Sequence, residues 1–489
     1  MSLGEKTVKG VFWNYLSFAS GKFLAFVTTV ILARLLAPEL FGVVALALLA
    51  IQYLDAIGDL GISEALIYQR DDVERAANVA FIISVLSGIG LAALAFFGAP
   101  AVAAFYAEPR LTPMLQVLAV TMVITSLGQT QLALLTKELR FRQKMIPDLS
   151  RNLVKGVASI ALALAGFGAW SLVWGQVLGA FATTVALWAI ARWRPRLQWD
   201  WAIARRMIHF GWQVVLIQIL SVLWSTADYL IIGKLLGRAD LAYYQQAFRV
   251  TDLLIINFAF VVGKVLFPSY SKVSDDRPRL EQGYLSTIRY MSLITLPFSV
   301  GLCVVAPLFV ELVFGPRWLP MAPALQLLAL RAGLSTLSFN GGHLLKAIGR
   351  PDIVNYQVVV KLAILVVTVW LTVPYGFVAV AAGQLGVVLF VVLADFLTVR
   401  WVLGFRLGSV WHQIRPALVA AAVMGLAVVL LLQLIPAGLT AVRLAGGVLT
   451  GVTAYAGVLW LTDRELCLTS AEQLARMLRR GKPAVTKNA

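Results

Sequence analysis

Ionisable and amide side chains are rare inside the apolar stretches of this chain, and where they occur they recur at intervals of three or four. Gln52, Asp55 and Asp59 follow that spacing, as do Gln218, Ser221, Ser225 and Asp228, which sets each group on one face of a helix. Arg249 and Asp252 are three apart and can pair along one helix. Arg331 has Ser335 and Ser338 on its face, Lys22 lies near the middle of the first apolar run, and Lys361 and Asp395 lie deep in later ones. A charge in hydrocarbon is costly, so such groups face a bundle interior or a water-filled cavity. There Lys22, Arg249 and Arg331 would bind an anion such as a pyrophosphate. Asp55, Asp59, Asp228 and Asp252 would exchange an ion or pair with those cations, and Gln52, Lys361 and Asp395 would line the same space. The same residues also read as structural ion pairs between helices, and both readings stand at this point.

The elements that must position them begin with a hairpin. Val8–Leu35 is one apolar run, Ala37-Pro38-Glu39-Leu40-Phe41-Gly42 breaks it, and Phe41–Leu66 is a second. Each exceeds the roughly 20 residues that cross about 30 Å of hydrocarbon. Further spans are expected at 76–99, 114–136, 153–168, 170–190, 208–235, 241–266, 285–311, 322–346, 353–374, 377–399, 416–435 and 441–462, about fourteen in all. Gly166-Phe167-Gly168 alone separates the fifth from the sixth.

At 489 residues, 60% hydrophobic and 13% charged, the chain has too little polar surface for a water-soluble globule. Its net charge of +17 does not point to nucleic acid, because the basic residues sit in short loops rather than on one soluble face. With the amino terminus in the cytoplasm, Arg140, Arg142, Lys144, Arg151 and Lys155, then Arg192, Arg194, Arg196, Arg205 and Arg206, fall inside. Outward turns receive only Arg34, Arg110, Lys234, Arg238, Arg317 and Arg443. That asymmetry is the positive-inside pattern, and it puts both termini in the cytoplasm. The first run is too long for a cleaved signal peptide and is expected to remain as an anchor.

Cys303 and Cys467 suggest no disulfide framework, and His209, His343 and His412 have no metal-ligand spacing. No phosphate-binding Gly-Lys loop occurs, no nucleophile stands beside a base, and the outward turns are too short for a catalytic cluster. An enzyme is therefore not expected, a membrane glycosyltransferase or polymerase included, and neither is a cofactor; a proton or sodium gradient is the energy source such carboxylates permit.

A shift of 200 residues lays Ile31, Arg34, Leu35 and Leu36 on Ile231, Lys234, Leu235 and Leu236, and Gln52 on Asp252. The expected plan is an all-α polytopic protein with two pseudo-symmetric six-helix lobes. These are 1–190 and 208–400, joined by a tryptophan- and arginine-rich interfacial linker at 191–207 and followed by two helices at 401–462. At 463–489 a capping box, Ser470-Ala471-Glu472-Gln473, opens an amphipathic helix suited to an anionic leaflet.

Ile31-Leu32-Ala33-Arg34-Leu35-Leu36-Ala37-Pro38-Glu39-Leu40-Phe41-Gly42, Asp59-Leu60-Gly61-Ile62 and Asp228-Tyr229-Leu230-Ile231-Ile232-Gly233-Lys234 resemble the polysaccharide-transporter family. So do Val265-Leu266-Phe267-Pro268-Ser269-Tyr270-Ser271 and Ala347-Ile348-Gly349-Arg350-Pro351. The resemblance implies a Wzx-type flippase of the multidrug/oligosaccharidyl-lipid/polysaccharide exporter superfamily. Such a protein has two MATE-like lobes around a cavity and turns undecaprenyl-pyrophosphate-linked O-antigen, capsule or exopolysaccharide units across the bacterial inner membrane by alternating access. A lipid II flippase or a multidrug exporter of the same superfamily is the alternative. The partners implied are the lipid-linked oligosaccharide, bilayer lipids, and the glycan polymerase and chain-length machinery around a functional monomer. The last two spans lie outside the matching motifs.

Overall fold

A computed structural model describes residues 20–436 and 438–462, and among them every regular element is helical. The first helix, α1, covers 20–35. It is followed by α2 (Pro38–Gly58), α3 (Ile62–Tyr68), α4 (Val73–Tyr106), α5 (Leu111–Lys137), α6 (Phe141–Leu164) and α7 (Ala169–Ile190). Next come α8 (Trp201–Leu235), α9 (Arg238–Thr251), a π-helical segment at Asp252–Ile256, α10 (Asn257–Ser271), α11 (Arg277–Val313) and α12 (Ala322–Ala347). The last are α13 (Pro351–Thr372), α14 (Phe377–Leu403), α15 (Leu407–Leu434) and α16 (Thr440–Thr462). Among the described residues, 10 helices are long and apolar enough to cross a membrane. The amphipathic helix expected at 463–489, and the anchor run as far as residue 19, lie outside the described residues.

Local chemistry sets the breaks. Pro38 opens α2, where a missing N–H and a fixed φ suit the first turn. The 200-residue offset recurs in the bounds: α1 gives way to α2 across two residues, as α8 gives way to α9. Gly166 and Gly168, both at positive φ, separate α6 from α7 as expected. Several boundaries differ from the hydropathy reading, α4 running on to Tyr106, α11 starting at Arg277 and α15 at Leu407 among them. α6 starts at Phe141 rather than 153, so Arg142, Lys144 and Arg151 ride on a helix and not in a loop. α8 starts at Trp201, where the Asp200 carboxylate accepts from the backbone N–H groups of Ala202 and Ile203 at 2.9 and 3.1 Å.

The chain divides into two compact units. The first holds the described residues through Gln246 with Val313–Pro320 and Leu365–Val380. Trp318, fully buried, anchors the second of these segments by donating from its indole nitrogen to the Ala33 carbonyl at 2.8 Å, and it meets the rings of Phe41 and Tyr243 edge-on. Buried Asn78 of α4 holds the linker before α8: its amide donates to Gln198 at 3.1 Å and accepts from the Arg196 N–H at 2.9 Å. The second unit holds Ala247–Leu312, Met321–Ile364 and Ala381 onward. Its core gathers Leu280, Tyr284 and Ile288 of α11, Leu337 and Leu344 of α12, Val392, Phe396 and Val399 of α14, and Ala417 and Ala421 of α15.

Of the cations expected in outward turns, Arg34, Arg110, Lys234, Arg238 and Arg443 are committed to backbone or to one carboxylate. Arg34 donates to the Val313 carbonyl, Arg443 to that of Leu432, and Lys234 to that of Phe105. Arg110 and Arg238 share buried Glu108 at 2.8 and 2.6 Å. Together they hold its carboxyl below the usual range, Arg110 contributing most through its hydrogen bonds.

Candidate functional site

In the first unit the polar face of α2 ends at a deliberate interruption. Leu60 and Gly61 take φ of 47° and 64°, a left-handed pair that stops α2 and starts α3. Asp59 stabilises the new start by accepting from the backbone N–H and the hydroxyl of Ser63, both at 2.9 Å. The bend is pressed against α8: a Cβ added to Gly211 would stand 1.9 Å from the Leu60 carbonyl oxygen. Asp59 therefore sits at a helix junction rather than on a continuous face, while Asp55 and Gln52 stand exposed one and two turns before it. Arg151 of α6 is the cation acting electrostatically on Asp55. Lys22 is exposed on α1, beside Gly21, whose added Cβ would meet Asn152 of α6 at 2.9 Å.

The stripe on α8 splits in two. Ser221 and Ser225 turn their hydroxyls back to the Ile217 and Val222 carbonyls, and Gln218 reaches Glu64 of α3 at 3.5 Å. Asp228 is buried, 2% exposed, where it accepts from the Tyr244 hydroxyl at 2.8 Å and the Tyr229 N–H at 2.9 Å. Two residues earlier, Thr226 meets the Tyr53 hydroxyl at 2.7 Å, tying α8 to α2.

In the second unit Arg249 ends α9 exposed, and Asp252 opens the π-helical segment. A π turn carries an extra residue and re-aims the side chains that follow it. Arg331 of α12 is half-buried. Its Nε donates to Gln384 of α14 at 3.1 Å, and its guanidinium carbon stands 4.6 Å from the centroid of the Phe248 ring. Among the described residues no carboxylate pairs with it. Gln384 occupies one edge of the fork and Phe248 one face, leaving the two terminal nitrogens to present the geometry that grips a phosphate with two parallel hydrogen bonds. Lys361 is arranged in the opposite way: its ammonium donates to both oxygens of buried Asp395 at 2.8 and 3.0 Å.

Gln384, Phe248 and Tyr244 escaped the reading of spacing. Gln384 left one signal, an amide alone in the middle of the apolar run 377–399, and Arg151 another, four residues before Lys155 on what is now α6. Among the described residues no cluster of metal-ligating side chains exists.

The fold of this polytopic all-helical chain is shared with solved membrane proteins. The lipid II flippase MurJ in an inward closed conformation superposes with a TM-score of 0.78 over 93% of this chain and 99% of that one, at 14% identity. The chain belongs to the polysaccharide biosynthesis protein family, which its residues 31–323 match, and so to the Wzx-type flippases of the multidrug/oligosaccharidyl-lipid/polysaccharide superfamily. It is 26% identical to the succinoglycan biosynthesis transport protein ExoT of Rhizobium meliloti (strain 1021), over 99% of this chain and 98% of that protein. It is likewise 26% identical to the lipopolysaccharide biosynthesis protein WzxC of Escherichia coli (strain K12), over 72% of each. It is a transporter and not an enzyme.

Proposed function

We propose that this flippase carries an undecaprenyl-pyrophosphate-linked oligosaccharide, the repeat unit of an O-antigen, capsule or exopolysaccharide, from the inner to the outer leaflet of a bacterial inner membrane. The observation that carries this reading is Arg331, a half-buried guanidinium held by an amide and an aromatic ring with no neutralising carboxylate among the described residues. A cation kept without a counter-ion at membrane depth is favourable only if an anion visits. A pyrophosphate offers two charges, and Arg331 is the cation proposed to receive them, with Lys22 and Arg249 as the further candidate cations. Relatives named for the biosynthesis of succinoglycan and lipopolysaccharide support the glycan cargo.

Transport would proceed by alternating access of two six-helix lobes, 1–190 and 208–400, within about fourteen spans, with both termini cytoplasmic and one chain sufficient. Asp55, Asp59, Asp228 and Asp252 are the groups through which a proton or sodium gradient would act. A lipid II cargo is the second reading, favoured by the MurJ-like fold, and it shares the same carrier lipid and pyrophosphate. Loss of a lipid II exporter is lethal without a substitute, whereas loss of a glycan-unit exporter removes surface polymer.

The test is complementation of a strain lacking the chain. Arg331→Ala, at wild-type membrane levels, should lower surface polymer roughly 30-fold, the equivalent of about 2 kcal/mol for a charged hydrogen bond, while Arg331→Lys retains part of it. Wild-type polymer from Arg331→Ala would overturn the assignment.

A further inference from the structure

The linker before α8 is tied to the protein by one set of residues and shows another outward. Buried Asn78 of α4 bridges Gln198 and the Arg196 N–H, Arg196 pairs with Glu74 at 3.4 Å, and Asp200 caps α8. Between them Leu197 forms the apex of a γ-turn, closed by the Gln198 N–H on the Arg196 carbonyl at 2.8 Å. Leu197, Trp199 and Trp201 project from this brace, 91%, 47% and 71% exposed, the two indole rings 5.8 Å apart. From Trp201 the surface continues along α8 through Arg205, Ile208 and Trp212, all exposed and spaced by four, three and four on one face. The other face, Ile203, Ala204 and Met207, is buried in one cluster with Ala76, Ala77 and Ala80 of α4. Arg192, Arg205 and Arg206 stand exposed in the same segment, and among the described residues no carboxylate pairs with them.

We infer that this braced surface docks on an acidic membrane surface, with Leu197, Trp199 and Trp201 seated where headgroups meet acyl chains and Arg192, Arg205 and Arg206 on lipid phosphates. Charge decides the occupant: those three guanidinium groups stand beside the exposed rings, while the acids bonded to the segment, Glu74 and Asp200, are engaged by Arg196 and the start of α8. Length decides the level. The 35 residues of α8 run about 52 Å, whereas hydrocarbon with both headgroup layers takes about 40–45 Å, so the first turns of α8 fall among the headgroups. Indole rings are favoured there, and apolar side chains flanked by cations bind anionic surfaces. Leu197, at the apex of a turn that Asn78 keeps from folding back, acts as a wedge. The contact would fix where α4 and α8 enter the bilayer.

Spin-label depth measurement tests this on the full chain in vesicles, with Leu197→Cys labelled in a Cys303→Ser/Cys467→Ser background. The vesicles are phosphatidylglycerol or phosphatidylcholine of identical acyl chains. In phosphatidylglycerol the label should sit about 5–10 Å inside the headgroup boundary, sheltered from an aqueous nickel chelate and open to oxygen. In phosphatidylcholine it should rise to the phosphates. Arg192→Gln/Arg205→Gln/Arg206→Gln should show the same rise in phosphatidylglycerol, Arg192→Lys/Arg205→Lys/Arg206→Lys should stay deep, and Asn78→Ala should spread the label over both levels. A label open to the aqueous chelate in phosphatidylglycerol, as on a surface kept for a protein partner, overturns the proposal. So does an unmoved label in the triple glutamine variant. Equal depth in the two lipids overturns it whatever the variants do.

Discussion

Arg331 and Lys361 illustrate two ways of keeping a cation inside a membrane protein. The Lys361 ammonium is closed by both Asp395 oxygens, whereas the Arg331 fork is steered by neutral neighbours and left with donors to spare. Removing one member of a buried pair strands the other charge, so Lys361→Met should destabilise the protein by about 3 kcal/mol, and Lys361→Met/Asp395→Leu should recover most of that loss. Denaturation in detergent, read on both single variants and the double, checks it. Glu108 allows a test of pH dependence. Its folded pKa lies below the ordinary glutamate value, so its contribution is present at neutral pH and is lost as pH falls through the folded value. Its arginine partners are 49% and 41% exposed, which limits the contribution to about 1 kcal/mol. The wild type should therefore lose more thermal stability on acidification than Glu108→Gln, and parallel pH profiles would contradict that.

At the scale of elements, close backbone approaches set the helix junctions. A Cβ on Gly42 would stand 1.9 Å from the Arg238 carbonyl oxygen, where α2 meets the start of α9. Gly42→Ala must force those helices apart, and Gly211→Ala must do the same to α8 and the Leu60 bend, at about 1–3 kcal/mol each. Lower melting temperatures for both, against no change for Gly90→Ala, whose added Cβ would meet no atom within 4 Å, are the expected outcome. The helices themselves were legible because a run long enough to cross hydrocarbon leaves little else to be. Their ends were less so: Arg142 to Arg151 read as a loop because hydropathy sees charge and not backbone, and α6 continues through them. The break at Asp59 was signalled by Gly58 and Gly61 but hidden by the apolar residues on both sides. Arg331 was visible as a charge in an apolar run. Its partner was not, since Gln384 lies 53 residues away and only packing brings the two together.

For the whole molecule, family membership defines a flippase of polysaccharide biosynthesis, and the proposed anionic lipid-linked cargo rests on Arg331. The most direct test uses purified chain in vesicles loaded on one leaflet with an undecaprenyl-pyrophosphate oligosaccharide, with and without an imposed proton or sodium gradient. The wild type should move the lipid to the opposite leaflet, faster with the gradient, and Arg331→Gln should reduce the rate roughly 30-fold. Equal rates for the wild type and Arg331→Gln, or no movement by either, would contradict the account.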